Sequence, residues 1–116
     1  EAGPWFIALP GNPVAAAVSA KLYLHRAVRL AAGALSDEIG GKVVPARALS
    51  RVKGHTGRTD IVRGHLEPQG EVLTFTPAGS QGSAMLSTLA GMNAAAVLPE
   101  DTASAEAGSF VECLLL

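Results

Sequence analysis

The stretch TDIVRGHLEPQGEVLTFTP, residues 59–77, decides how this 116-residue chain folds. Thr59–Glu67 and Glu71–Pro77 each read as a strand, and Pro68-Gln69-Gly70 reads as the tight connection of a hairpin. In the second arm Val72, Thr74 and Thr76 alternate with Leu73 and Phe75. Successive strand side chains point to opposite faces, so this alternation is that of a half-buried strand.

Working outward, Lys42–Leu49, Ala94–Leu98 and Phe110–Leu116 add three more short strands, although the alanines of 94–98 blur strand and helix. Gly82–Leu89 reads as one short helix. Several short strands at this spacing predict a small barrel or sandwich. Ser36-Asp37-Glu38-Ile39-Gly40-Gly41 reads as a linker into this β region.

Before the linker the pattern is of another kind. Trp5-Phe6-Ile7-Ala8-Leu9, bounded by Pro4 and Pro10, reads as a buried strand. Asn12-Pro13 then starts a helix: the asparagine side chain accepts from an orphan amide, and proline loses no hydrogen bond at the first helical position. The helix is predicted from Pro13 to about Ala32, with Val14, Val18, Leu22, Leu24 and Val28 supplying buried contacts. Lys21, His25 and Arg29 mark its polar face, and Gly33 its stop. One strand and one helix cannot form an α/β domain, so the partners of Trp5–Leu9 are expected outside this chain.

Composition narrows the function. Hydrophobic residues make up 48%, which argues against disorder. The net charge of −1 carries no basic excess, so nucleic acid is not the default partner. No window reaches the roughly 18 unbroken apolar residues of a membrane span, so no membrane partner is expected. No signal peptide is visible. Cys113 is the single cysteine, which fits a cytoplasmic protein and reads as a core residue of the last strand.

Three stretches have the chemistry to hold an anion. Gly11 and Asn12 precede a helix start, where free amides and a partial positive charge suit a phosphate-bearing ligand; the alternative is a strand-to-helix turn with a good cap. Arg58 enters a strand and Arg63 lies on it, in phase with Ile61 and His65. Their planar, permanently charged donors suit oxyanions; the alternative is surface arginines, one paired with Asp60. Gln81-Gly82-Ser83 offers an amide, a hydroxyl and backbone donors, or else a helix cap. His25, His55 and His65 show no metal-ligand spacing with one another or with Cys113, so no metal site is expected. No catalytic pair of carboxylates stands out, and no catalytic residue is assigned.

Leu9-Pro10-Gly11-Asn12-Pro13-Val14, Gly57-Arg58-x-Asp60-x-x-Arg63-Gly64, Gln81-Gly82-Ser83, Leu89-Ala90-Gly91-x-Asn93-Ala94 and Val97-Leu98-Pro99 occur here in that order. Together they resemble the C-terminal part of the molybdenum insertases, the MoeA-type molybdopterin molybdenumtransferases, whose eukaryotic relatives include the gephyrin E domain. The resemblance covers essentially the whole chain. It implies a mainly β fold: a small C-terminal β-barrel at 35–116, preceded at 1–34 by the last strand and helix of an α/β molybdopterin-binding domain. It also implies transfer of molybdenum from molybdate to adenylylated molybdopterin, with release of AMP and with Mg²⁺ whose ligands lie outside this chain.

By motif, the resemblance makes Arg58 and Ser83 contacts for molybdate, with Gln81 beside them, and Gly11, Asn12 and Pro13 a lining of the nucleotide and pterin cleft. Arg63 either joins them or knits the barrel to the α/β domain. It further implies a homodimer for the full-length protein. Ala8 and Ala15 depart from the glycine and serine common in the family, so a hydroxyl is absent at the helix start. The upstream loops of the active site are missing, so this piece alone is not expected to be catalytically competent. Two other roles stay open: a non-enzymatic scaffold or assembly module of the gephyrin type, and a generic oxyanion-binding β-domain. Tungstate in place of molybdate is a close variant of the first reading.

Overall fold

A computed structural model describes residues 3–35, 41–79 and 89–116. The chain divides into two compact units, Glu1–Gly40 and Gly41–Leu116.

In the first unit the helix starts where the sequence places it. α1 (Pro13–Ser19) is capped by Asn12, whose Oδ1 accepts from Val14 N–H at 3.0 Å and Ala15 N–H at 3.2 Å. A wider π-helical segment, Ala20–Leu24, follows, in which His25 N–H reaches back five residues to the Ala20 carbonyl. α2 (His25–Ala31) completes the helical run. Gly33 closes it at φ +86°: its N–H bonds to Leu30 O at 3.0 Å, and Ala34 N–H bonds to Arg29 O at 3.0 Å. This left-handed cap satisfies the last carbonyls, which is why glycine stands there.

Trp5–Leu9 corrects the expectation of a buried strand. Residues 3–10 form no strand and are exposed, Trp5 to 86% and Phe6 to 88%. A strand is held by ladder bonds to neighbours, and the first unit offers no other strand among its described residues. The helix is less buried than its pattern predicts for the same reason. Only Val14 is fully buried, Val18, Leu22 and Leu24 are half-buried, and Val28 is exposed. The linker residues Ser36–Gly40 lie outside the described residues.

The second unit is a closed barrel. Its strands are β1 (Val43–Ala48), β3 (Asp60–Gln69), β4 (Val72–Pro77), β5 (Ala94–Leu98) and β7 (Phe110–Leu115), in the spatial order β1-β4-β3-β5-β7. Two short strands, β2 (Val52–Lys53) and β6 (Ser104–Ala105), pair beside it. Neither shows in the sequence pattern, because two residues carry no periodicity. Every barrel pairing is antiparallel except β1 with β4.

The hairpin turn is one residue later than the sequence suggests. Pro68 and Gln69 pair with Leu73 and Val72, leaving Gly70 and Glu71 as the loop, with Gly70 alone at positive φ. Pro68 is tolerated inside β3 because β5 pairs only with Asp60–Gly64, so its missing N–H costs no ladder bond. Just before it, Asn93 supplies what β5 does not. Its side-chain amide accepts from Leu66 N–H at 2.7 Å and donates to Leu66 O at 2.9 Å. Asn93 O also accepts from Leu116 N–H at 3.0 Å. One side chain thus extends the ladder along β3 while its backbone anchors the chain end.

Phe75, Val52, Val62, Leu66, Leu98, Val111 and Cys113 fill the interior with four small alanines. Gly64 makes the fit possible. A Cβ there would stand 2.4 Å from both Phe75 Cζ and Thr76 O, so the ring can pack only against bare backbone. The predicted helix Gly82–Leu89 lies, but for Leu89, outside the described residues. Among the described residues no helix is long and apolar enough to cross a membrane.

Candidate functional site

The anion-binding candidates separate once placed in the fold. Arg58 sits in the loop from β2 to β3. Gly57 turns that loop at φ +88°, a conformation that favours glycine, and its N–H bonds to Glu100 O at 2.8 Å. The turn folds Arg58 back over the start of β3. There its Nε donates to Asp60 Oδ1 at 3.1 Å, and its Nη2 lies 2.8 Å from His55 Nδ1. Asp60 Oδ2 accepts from the His55 backbone N–H at 2.5 Å and lies 3.0 Å from His55 Nδ1.

Asp60 is therefore the anchor of the cluster. Its side chain is 17% exposed, against 62% for Arg58 and 67% for His55. Burial alone would push its carboxyl upward. The hydrogen bonds from the His55 side chain and backbone, with the positive charge of Arg58, outweigh burial and hold it below the ordinary value. It stays a carboxylate at neutral pH and fixes one edge of the guanidinium. A guanidinium has five N–H donors. One is engaged by Asp60, a second meets His55 Nδ1 when that nitrogen carries no proton, and the other three have no partner among the described residues. The result is an exposed cation of fixed orientation, the geometry an oxyanion contact requires.

Arg63 differs. It faces away from the barrel interior, opposite Ala95 of β5 in register, and is only 5% exposed. Ala95 and Leu114, its neighbours across β5 and β7, are buried with it. Burial pulls its pKa below the ordinary arginine value. An arginine so enclosed suits a structural role better than ligand capture at an open site.

Asn12 is occupied by its cap bonds, and among the described residues nothing beyond its chain neighbours comes within 4 Å of the Cβ position of exposed Gly11. Gly11, Asn12 and Pro13 belong to the first unit and Arg58 to the second. Gln81 and Ser83 lie outside the described residues. Cys113 is buried, and burial, with the charge of Glu112, pushes its thiol up to about 11, so it is no nucleophile at neutral pH. Among the described residues no group of three or more His, Cys, Asp or Glu side chains is arranged to hold a metal ion. The described residues therefore build no cage of three or more such ligands for Mg²⁺.

Two residues, His55 in this site and Asn93 beside β3, escape the sequence reading. His55 was weighed there only as a metal ligand; its signal is the spacing His55-x-x-Arg58-x-Asp60 across a glycine turn, which brings three polar side chains to one point. Asn93 was visible only as part of a motif.

Comparison with known proteins completes the assignment. The barrel matches, over residues 45–116, the family model of the MoeA C-terminal region (domain IV). Solved structures that resemble the chain include two proteins from Pyrococcus. One is a molybdopterin biosynthesis MoeA protein from Pyrococcus horikoshii OT3, at 24% identity and a TM-score of 0.74 over 91% of this chain. The other is a molybdenum cofactor biosynthesis protein from Pyrococcus furiosus, at 27% identity and a TM-score of 0.73 over 91%. The chain spans 26% of the first and 36% of the second. With the match running from Pro45 through every later barrel strand, the chain belongs to the MoeA C-terminal region family.

Proposed function

We propose that this chain is the C-terminal part of a molybdenum insertase of molybdenum cofactor biosynthesis, and that its barrel presents molybdate to adenylylated molybdopterin. The observation that carries the reading is the Arg58 guanidinium: exposed, held on one edge by Asp60, and offering its remaining donors outward on a turn that glycine makes. Molybdate is a tetrahedral dianion. A fixed guanidinium binds such a group through paired N–H donors and charge, and one already oriented loses little freedom on binding.

In this reading Ser83 adds a hydroxyl or amide donor, Gln81 lies beside it, and Gly11, Asn12 and Pro13 line the nucleotide and pterin cleft. Molybdenum then passes to the pterin, and AMP leaves. Mg²⁺ would assist at the phosphates, with ligands from elsewhere in the full-length protein; no step on this chain runs through it. The full-length protein works as a cytoplasmic homodimer.

Calorimetric titration of molybdate, with sulfate as competitor, tests the reading. Arg58→Ala and Ser83→Ala should each weaken molybdate binding while the barrel stays folded. Equal binding in all three proteins sinks it. Sulfate competing as strongly as molybdate would instead favour a generic oxyanion-binding domain.

A further inference from the structure

We propose that His55 is a protonation-dependent positioning residue for Arg58, one that makes oxyanion binding strengthen as pH falls. The inference rests on the oxyanion reading of Arg58 above. Its basis is a conflict at a single atom. His55 Nδ1 lies 2.8 Å from Arg58 Nη2 and 3.0 Å from Asp60 Oδ2. Nδ1 cannot serve both at once. With its proton on Nε2 the neutral ring accepts from Arg58 and repels the carboxylate, and with its proton on Nδ1 it donates to Asp60. Protonated, it donates to Asp60, and Arg58 Nη2 loses its acceptor.

Protonation thus does two things of the same sign. It returns an Arg58 donor to the open face, and it raises the net charge of the His55–Arg58–Asp60 cluster from zero to +1. Asp60 stays ionised throughout, since its pKa lies below the ordinary carboxylate value. The loop itself does not depend on the ring, because the His55 backbone N–H bonds to Asp60 Oδ2 in either state. Among the described residues, three other charged side chains flank this loop. Lys53 precedes it on β2. Across the loop stand Glu100, whose carbonyl accepts from Gly57, and Asp101, whose carboxylate accepts from the Thr102 hydroxyl at 3.0 Å. Neither carboxylate is bonded to the ring, so its partners are Asp60 and Arg58 alone among the described residues.

Molybdate binding is compared at about pH 6 and about pH 8. One added charge beside a dianion at an exposed site predicts about three- to tenfold tighter binding at the lower pH. His55→Gln keeps an acceptor for Arg58 and does not titrate; its binding should be flat and match the wild type at high pH. His55→Lys carries a fixed charge and should be flat and tighter at high pH. In the absence of molybdate, the Arg58 Nε–H resonance should shift along the same titration curve as the His55 ring, by nuclear magnetic resonance. A His55→Gln protein that keeps the wild-type slope, or a wild type that binds equally at both pH values through Arg58, overturns this proposal alone. Arg58→Ala binding molybdate as the wild type does overturns the oxyanion reading as well.

Discussion

Trp5-Phe6-Ile7 and Leu73-Thr74-Phe75 are both short apolar segments, and they meet opposite fates. Trp5 and Phe6 stand almost wholly in solvent, whereas Phe75 is completely buried. Hydrophobicity does not separate them. What separates them is the availability of neighbours. Phe75 lies on a strand paired on both sides, to β3 and to β1, and its ring closes over Gly64. Trp5 and Ile7 line an open apolar groove with Leu22, Ala27 and Leu30 along the helix, but no ladder fixes their backbone. An apolar pattern records a demand for burial; only the topology supplies it.

The largest break in this contrast should come from Gly64→Ala. The new Cβ would meet the Phe75 ring and the Thr76 carbonyl at once. Of these, the carbonyl belongs to a paired backbone and has little room to shift. A loss of about 3 kcal/mol is expected, at the upper end of what overpacking costs, and a urea midpoint measures it. Adding Phe75→Leu should recover only part, because the Thr76 carbonyl remains. Full recovery would mean that the ring alone sets the constraint.

Asn93→Ala comes next. It strips Leu66 of the partner for both its N–H and its C=O, where β5 has ended. Leaving these partly buried groups unmatched should cost about 2 kcal/mol. Amide exchange at Leu66 should speed up well beyond that of its β3 neighbours; unchanged protection would show that water replaces the side chain without loss.

The two regions also differ in how much of them could be read in advance. In the barrel, period-two alternation and the Pro-Gln-Gly signal located the long strands, because these features act through neighbours in sequence. The parallel β1–β4 pairing, the β2–β6 pair and the reach of Pro68 into β3 were hidden, since each depends on a partner far along the chain. Among the helix signals, Asn12, Pro13 and Gly33 were legible, being local capping chemistry, whereas the π-helical turn had no such mark. Of the candidate site, the sequence offers the pairing of one of its two arginines with Asp60 as an alternative, without saying which. It does not offer the role of His55, because that arises only when the Gly57 turn folds the loop onto itself.

Asn12→Ala tests the local side of this difference. Val14 and Ala15 would lose their shared acceptor, and about 1 kcal/mol of helix stability should go with it. Far-UV circular dichroism should show lost helix while the urea midpoint of the barrel stays in place. A barrel midpoint that falls in step would mean that the two units unfold as one.

The smallest effect belongs to Trp5→Ser, and it bears most directly on the contrast. A side chain 86% exposed has little burial to lose, so barrel stability should change by no more than about 0.5 kcal/mol. Trp5 is also the only tryptophan, so its fluorescence reports on the first unit alone. An indole already in water has nothing further to expose. Its emission should hold one position through the urea transition that carries Phe75 into solvent. A native emission shifted to the blue, moving to the red at the barrel midpoint, would show that folding does bury residue 5. The exposed and enclosed apolar segments would then answer to the same topology, and the distinction drawn between them would fail.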